Sequence, residues 1–223
     1  MKRLTFWFAG LCIIAAANAS DTMPAPPQTK PVAIKGATIH PVSGPEIPSG
    51  TIILENGKIT AIGADAAVPA GAEVIDGTGK HVYPGLINAN TVLGLVEIGA
   101  VRATVDVEEA GALNPNVRSI ASVNPDSELI PVARAAGVLT ALSVPEGGII
   151  SGQSAVLRLD GWTPEEMTVL SPAGMHLRWP NLTIDRRPRA RKSVKDQQKE
   201  IEKAQKQIRD AFQIARAYWQ TRK

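Results

Sequence analysis

The chain has 223 residues, 44% hydrophobic and 20% charged, with a formal net charge of +3. This excludes a compositionally disordered chain and supplies apolar surface for one or two packed domains. The single cysteine, Cys12, excludes an intrachain disulfide.

Lys2 and Arg3, the apolar stretch Leu4 to Ala17 and the small-residue site Ala17-Asn18-Ala19 have the layout of a secretory signal peptide over residues 1–19, cut between Ala19 and Ser20. The apolar run is shorter than the roughly 20 residues of a bilayer crossing, so no transmembrane span is expected. Cleavage removes Lys2, Arg3 and Cys12, leaving a nearly neutral chain without thiol chemistry, addressed to the periplasm or the medium. A Pro-rich spacer covers 20–31.

Over 32–83, short strand-like runs alternate with turn residues. Val32 to Ile39 alternates, Thr51 to Leu54 is β-branched, and Asn56-Gly57 centres a hairpin into Ile59 to Ile62. Glu73 to Ile75 and His81 to Tyr83 follow, split by Asp76-Gly77-Thr78-Gly79. Five short strands without a helical period predict a small β module. From Pro84 the pattern changes. Gly85 to Ala89 reads as a buried strand, Asp126 or Ser127 caps a helix that Gly137 stops, and Val138 to Val144 is a further strand, in the order of an α/β unit with a parallel sheet. Ala155 to Leu159 reads as one more strand. Ser193 to Lys223 is a long amphipathic helix with Val194, Ile201, Ile208, Phe212, Ala215 and Trp219 on one stripe. Its apolar stripe, with nothing after it, leads to the expectation of a missing C-terminal half or an oligomer partner.

The turn Glu55-Asn56-Gly57-Lys58-Ile59, the run Ile75-Asp76-Gly77-Thr78-Gly79-Lys80 and Pro84-Gly85-Leu86-Ile87 together resemble the amidohydrolase superfamily, in particular its imidazolonepropionase-like and dihydroorotase-like members. The likeness is strongest from Val32 to about Val92, and the later runs Gly147 to Ala155 and Glu97 to Asn116 resemble an exported subgroup. It implies an α/β fold: composite β-sandwich strands over 32–83, then the first units of a (β/α)8 TIM-like barrel over 84–223. Such a barrel takes roughly 250 residues, so this one is expected to be incomplete, an N-terminal part. The implied activity is hydrolysis of non-peptide carbon–nitrogen bonds, with a zinc-type divalent metal activating water. In that family the barrel's first strand ends in an acidic residue and two histidines. Here those positions are Asn88, Asn90 and Val92, a degenerate metal motif. Valine ligates nothing, and an amide oxygen suits calcium or magnesium better than zinc. No resident cofactor and no metal-dependent catalysis by this chain alone are therefore expected. The alternative is a non-catalytic exported protein that binds a ligand or serves as a scaffold on the same fold.

Other constellations are weaker. His40, His81 and His176 show no pairing at ligand spacing. Gly152-Gln153-Ser154-Ala155-Val156 misses the final glycine of a serine nucleophile elbow. Asp106, Glu108 and Glu109 form an acidic cluster that reads foremost as a solvated face. If it follows the first barrel strand, Arg102, Asp106 and Glu108 become candidate polar residues at a barrel mouth that could receive a small ligand. The basic run Arg186 to Lys192, without interleaved aromatics in a nearly neutral exported chain, reads as a solvated linker or a surface contacting anionic lipid or cell-wall polymer rather than a nucleic-acid contact.

Overall fold

The computed structural model describes residues 24–222. The expected signal peptide, with its Ala19/Ser20 junction, lies outside the described residues.

The first sheet gathers β1 (Val32–Ile39), β2 (Ile47–Glu55), β3 (Lys58–Gly63), β4 (Glu73–Asp76) and β5 (His81–Val82) in the order β3-β2-β1-β4, with β5 also pairing β1. The β2–β3 hairpin turns at Asn56 (φ 51°) and Gly57 (φ 70°), both in the left-handed region that an Asn-Gly turn supplies at little cost. β1 is antiparallel to β2 but parallel to β4 and β5. The chain must therefore cross over after β3, and Ala33, Ala37, Ile39, Ile52 and Ile53 are buried between these strands and their surroundings. At the end of β4 the side chain of Asp76 accepts a 2.9 Å hydrogen bond from the Thr78 N–H, which closes the turn of the Asp-Gly-Thr-Gly run, and the Thr78 side chain followed by this backbone N–H hold its carboxyl below the ordinary value.

The second sheet runs β6 (Leu86–Thr91), β7 (Val138–Ser143), β8 (Ile150–Arg158) and β9 (Thr168–Leu177), in that order. β6 and β7 are parallel, with α1 (Leu129–Ala135) in the connection between them, as the strand–helix–strand pattern predicts. The N-cap of that helix is Glu128 and not Asp126 or Ser127 as expected, although the Ser127 hydroxyl accepts the Leu129 N–H just ahead of it, and Gly137 (φ 89°) follows its end. The remaining strands depart from a barrel succession, because β7, β8 and β9 pair antiparallel. β8 begins five residues earlier than its apolar core suggests and carries Ser154 inside it. The short helix α2 (Pro164–Met167), capped by Thr163, delivers the chain into β9.

One face of this sheet packs under the irregular segment between β6 and α1. Leu95, Val123, Ile130, Ala141, Ala155, Leu157, Leu159 and Met167 form the core there. An ion pair of 2.9 Å between Arg134 and Asp160 ties the end of α1 to the strand end after β8. α3 (Val194–Thr221) starts on a Ser193 cap and matches the expected helix, yet Ile208 is its one buried residue, while Phe212, Ile214, Tyr218 and Trp219 are exposed. Among the described residues, no helix is long and apolar enough to cross a membrane.

Candidate functional site

β6 sets the geometry of the motif positions. Alternation along a strand would put Asn88, Asn90 and Val92 on one side of the chain, but the pairing of β6 shifts register between Asn88 and Thr91 and Val92 lies just past the strand's end. Their environments then diverge. Asn88 and Asn90 are exposed, and the Asn88 Oδ1 accepts the Asn90 N–H at 3.3 Å, so this oxygen serves its own strand. Val92 is partly buried and packs against the core around Leu95 and Val123. The donor set at this strand end is thus two amide groups and an isopropyl group. That set does not fit a zinc-type ion, and no catalytic step follows through one. Among the described residues, no group of three or more His, Cys, Asp or Glu side chains is placed to hold a metal.

Asp106 and Glu108 do approach this end of the sheet. The Asp106 N–H donates to the Leu95 carbonyl, the Glu146 N–H donates to the Val107 carbonyl, and the Val144 N–H donates to that of Thr91. The acidic segment therefore lies along the loop that follows β7, with Glu108 against Gly147. Arg102 is not brought into this group: its guanidinium folds back onto the Val105 carbonyl of its own turn. Asp106 and Glu108 are exposed, in keeping with a solvated face. Ser154 is buried within β8 and its hydroxyl donates to the Gly174 carbonyl at 3.3 Å, a structural contact without the strand-to-helix turn of a nucleophile.

The histidines correct the expectation from spacing. His40 and His81 are 41 positions apart, yet Nε2 of His40 lies 2.9 Å from Nδ1 of His81. The parallel pairing of β1 with β5 brings them together, since Thr38 is opposite His81 and Ile39 opposite Val82. On its other nitrogen His40 meets Glu46, with Nδ1 at 3.2 Å from Oε2. The Tyr83 ring stacks on His40 with centroids 4.3 Å apart and planes within 2°. Recognising β1 and β5 as adjacent parallel strands was the signal that would have revealed this cluster. His176 stays apart on β9, where its Nε2 is buried without a hydrogen-bond partner and burial pushes its pKa below the ordinary histidine value.

At the opposite end of β6 an apolar cleft of about 650 Å³ is lined by Val42, Tyr83, Leu86, Ile87 and Leu139 among others. β6 is an edge strand of its sheet, and Leu86 and Ile87 are 60% and 71% exposed there.

No family model matches the chain. Its structure is similar to the crystal structure of an amidohydrolase from Thermotoga maritima MSB8, with a TM-score of 0.73 and 26% identity, over 86% of this chain and 49% of that one. A dihydroorotase of Trichlorobacter lovleyi is 48% identical over 42 residues, 19% of this chain and 10% of that protein. A 5-methylthioadenosine/S-adenosylhomocysteine deaminase of Moorella thermoacetica is 38% identical over 63 residues, 27% of this chain and 15% of that protein. The chain thus spans about half the length of the solved structure and a small part of each curated relative. Two mixed sheets that follow an amidohydrolase over most of this chain, together with local identities to two further enzymes, support the amidohydrolase superfamily as the group this chain resembles.

Proposed function

We propose that this protein is an exported amidohydrolase-fold chain that does not, by itself, carry out metal-dependent hydrolysis of non-peptide carbon–nitrogen bonds. The observation that carries this reading is the strand end of β6: Val92 faces the core and Asn88 and Asn90 offer only amide groups. In the same reading β6, α1 and β7 are the opening of a TIM-like barrel, and further strands would add along the free edge of β6, whether from the same polypeptide or a second one. The test is an assay of the full chain with zinc or manganese against a panel of cyclic amides and 5-methylthioadenosine. No turnover above background is expected, whereas metal-dependent turnover abolished by Asn90→Ala would remove the proposal.

A non-catalytic scaffold or ligand-binding role is favoured by one separate observation, the exposed apolar side chains Leu86 and Ile87 at the rim of the 650 Å³ cleft. That cleft lies at the start of β6, away from Asp106 and Glu108. Export follows the basic, apolar and small-residue pattern of residues 1–19, and N-terminal sequencing of the processed protein should begin at Ser20. An unprocessed Met1 in the exported fraction would contradict it.

A further inference from the structure

We propose that His40 and His81 form a two-imidazole site for a divalent transition-metal ion of the copper, zinc and nickel class, on the β module and apart from the strand end of β6. The Glu46 carboxylate beside Nδ1 of His40 accepts the proton carried on that nitrogen, which leaves the lone pair of His40 on Nε2, facing His81. In the metal-free pair His81 then donates from Nδ1. Moving its proton to Nε2 changes the tautomer and not the charge, and two lone pairs from two residues then converge. With metal–nitrogen bonds of about 2.0–2.1 Å and tetrahedral angles, the two nitrogens sit roughly 3.3 Å apart. The observed 2.9 Å needs an opening of a few tenths of an ångström and a turn of the rings by roughly 35° so that both lone pairs meet off the N–N line, and exposed His81 has the room to make it.

The backbone holds this spacing. Hydrogen bonds of 2.9 Å from the Thr38 N–H to the Lys80 carbonyl and from the His40 N–H to the Val82 carbonyl flank His81 on both sides. The Tyr83 ring covers one face of His40. A carboxylate on the far nitrogen of a ligating histidine fixes its tautomer and ring orientation, the part Glu46 takes here. Imidazole donors favour copper, zinc and nickel over calcium and magnesium, with copper the tightest of the divalent series. Two protein ligands leave the remaining positions to water or to an incoming small ligand.

Calorimetric titration of the full chain with copper(II) chloride, together with the paramagnetic resonance spectrum of the bound ion, tests the site. One copper ion per chain with two imidazole nitrogens is expected. His40→Gln and His81→Gln should each weaken binding by roughly tenfold or more and Glu46→Ala by about tenfold, with His176→Gln unchanged. If a variant fails to fold, the unsubstituted protein decides, because substoichiometric copper should broaden the ring resonances of His40 and His81 before those of His176. Absence of saturable binding, binding that survives the His40→Gln/His81→Gln double substitution, or broadening at His176 first would overturn the proposal.

Discussion

Restoring imidazoles to β6 meets a different obstacle at each position. Asn90 is exposed, so Asn90→His should fold normally but leave zinc affinity unchanged, because a single imidazole there has no second ligand. Val92 packs on the core, so Val92→His should cost about 1–3 kcal/mol of stability, read by denaturant unfolding. A Val92→His variant as stable as the parent would show that the side chain faces solvent and that the site is only a few substitutions from function. His176 gives a second prediction at this scale. Burial lowers its folded pKa below the unfolded value of about 6.5. As pH falls through that value the unfolded chain takes up the proton first, so His176 should cost stability in the window from about pH 6.5 down to the lowered folded pKa. His176→Gln should remove this part of the acid sensitivity. An unchanged pH profile of unfolding would mean that the ring is solvated.

The elements of the β module are legible in the sequence because each strand is short, β-branched and fenced by turn residues. Val32 to Ile39 coincides with β1, and Asn56-Gly57 turns where expected. β9 was not legible. Its residues Thr168 to Leu177 contain Pro172, Ala173 and Gly174 in sequence, break the alternation, and survive as a strand only because β9 is an edge whose partner β8 supplies the pairing. The His40–His81 contact was equally hidden, since it depends on a crossover that puts distant segments on neighbouring parallel strands. Among buried side chains, Leu157 on β8 is 1% exposed at the centre of the second core, and Leu157→Ala should destabilise by about 2–5 kcal/mol. Ile87, on the open edge, should behave oppositely: Ile87→Lys should stay within about 0.5 kcal/mol of the parent. A large loss there would mean that Ile87 is covered in solution, as it would be if further strands add to β6.

Across the whole molecule, the likeness in fold and the proposed lack of metal-dependent catalysis rest on different parts of the chain. The mixed sheet of β1 to β5, the β6–α1–β7 unit and the likeness to the Thermotoga maritima structure describe the fold. The strand end where that fold is expected to hold its metal carries Asn88, Asn90 and Val92, and the one close pair of histidines among the described residues sits instead on the β module. Exposed apolar side chains lie on the edge strands β6 and β9 and on α3, with Leu86 and Ile87, Val169 and Leu170, and Phe212 and Ile214 among them, so these surfaces can take a partner element. The measurement that addresses this account most directly is zinc-dependent turnover of the full chain, followed side by side in the parent, in Asn90→Ala and in the His40→Gln/His81→Gln double variant. The account predicts no turnover in any of the three, with zinc binding lost only in the double variant. Zinc-dependent hydrolysis or deamination that disappears in Asn90→Ala and persists without His40 and His81 would contradict it.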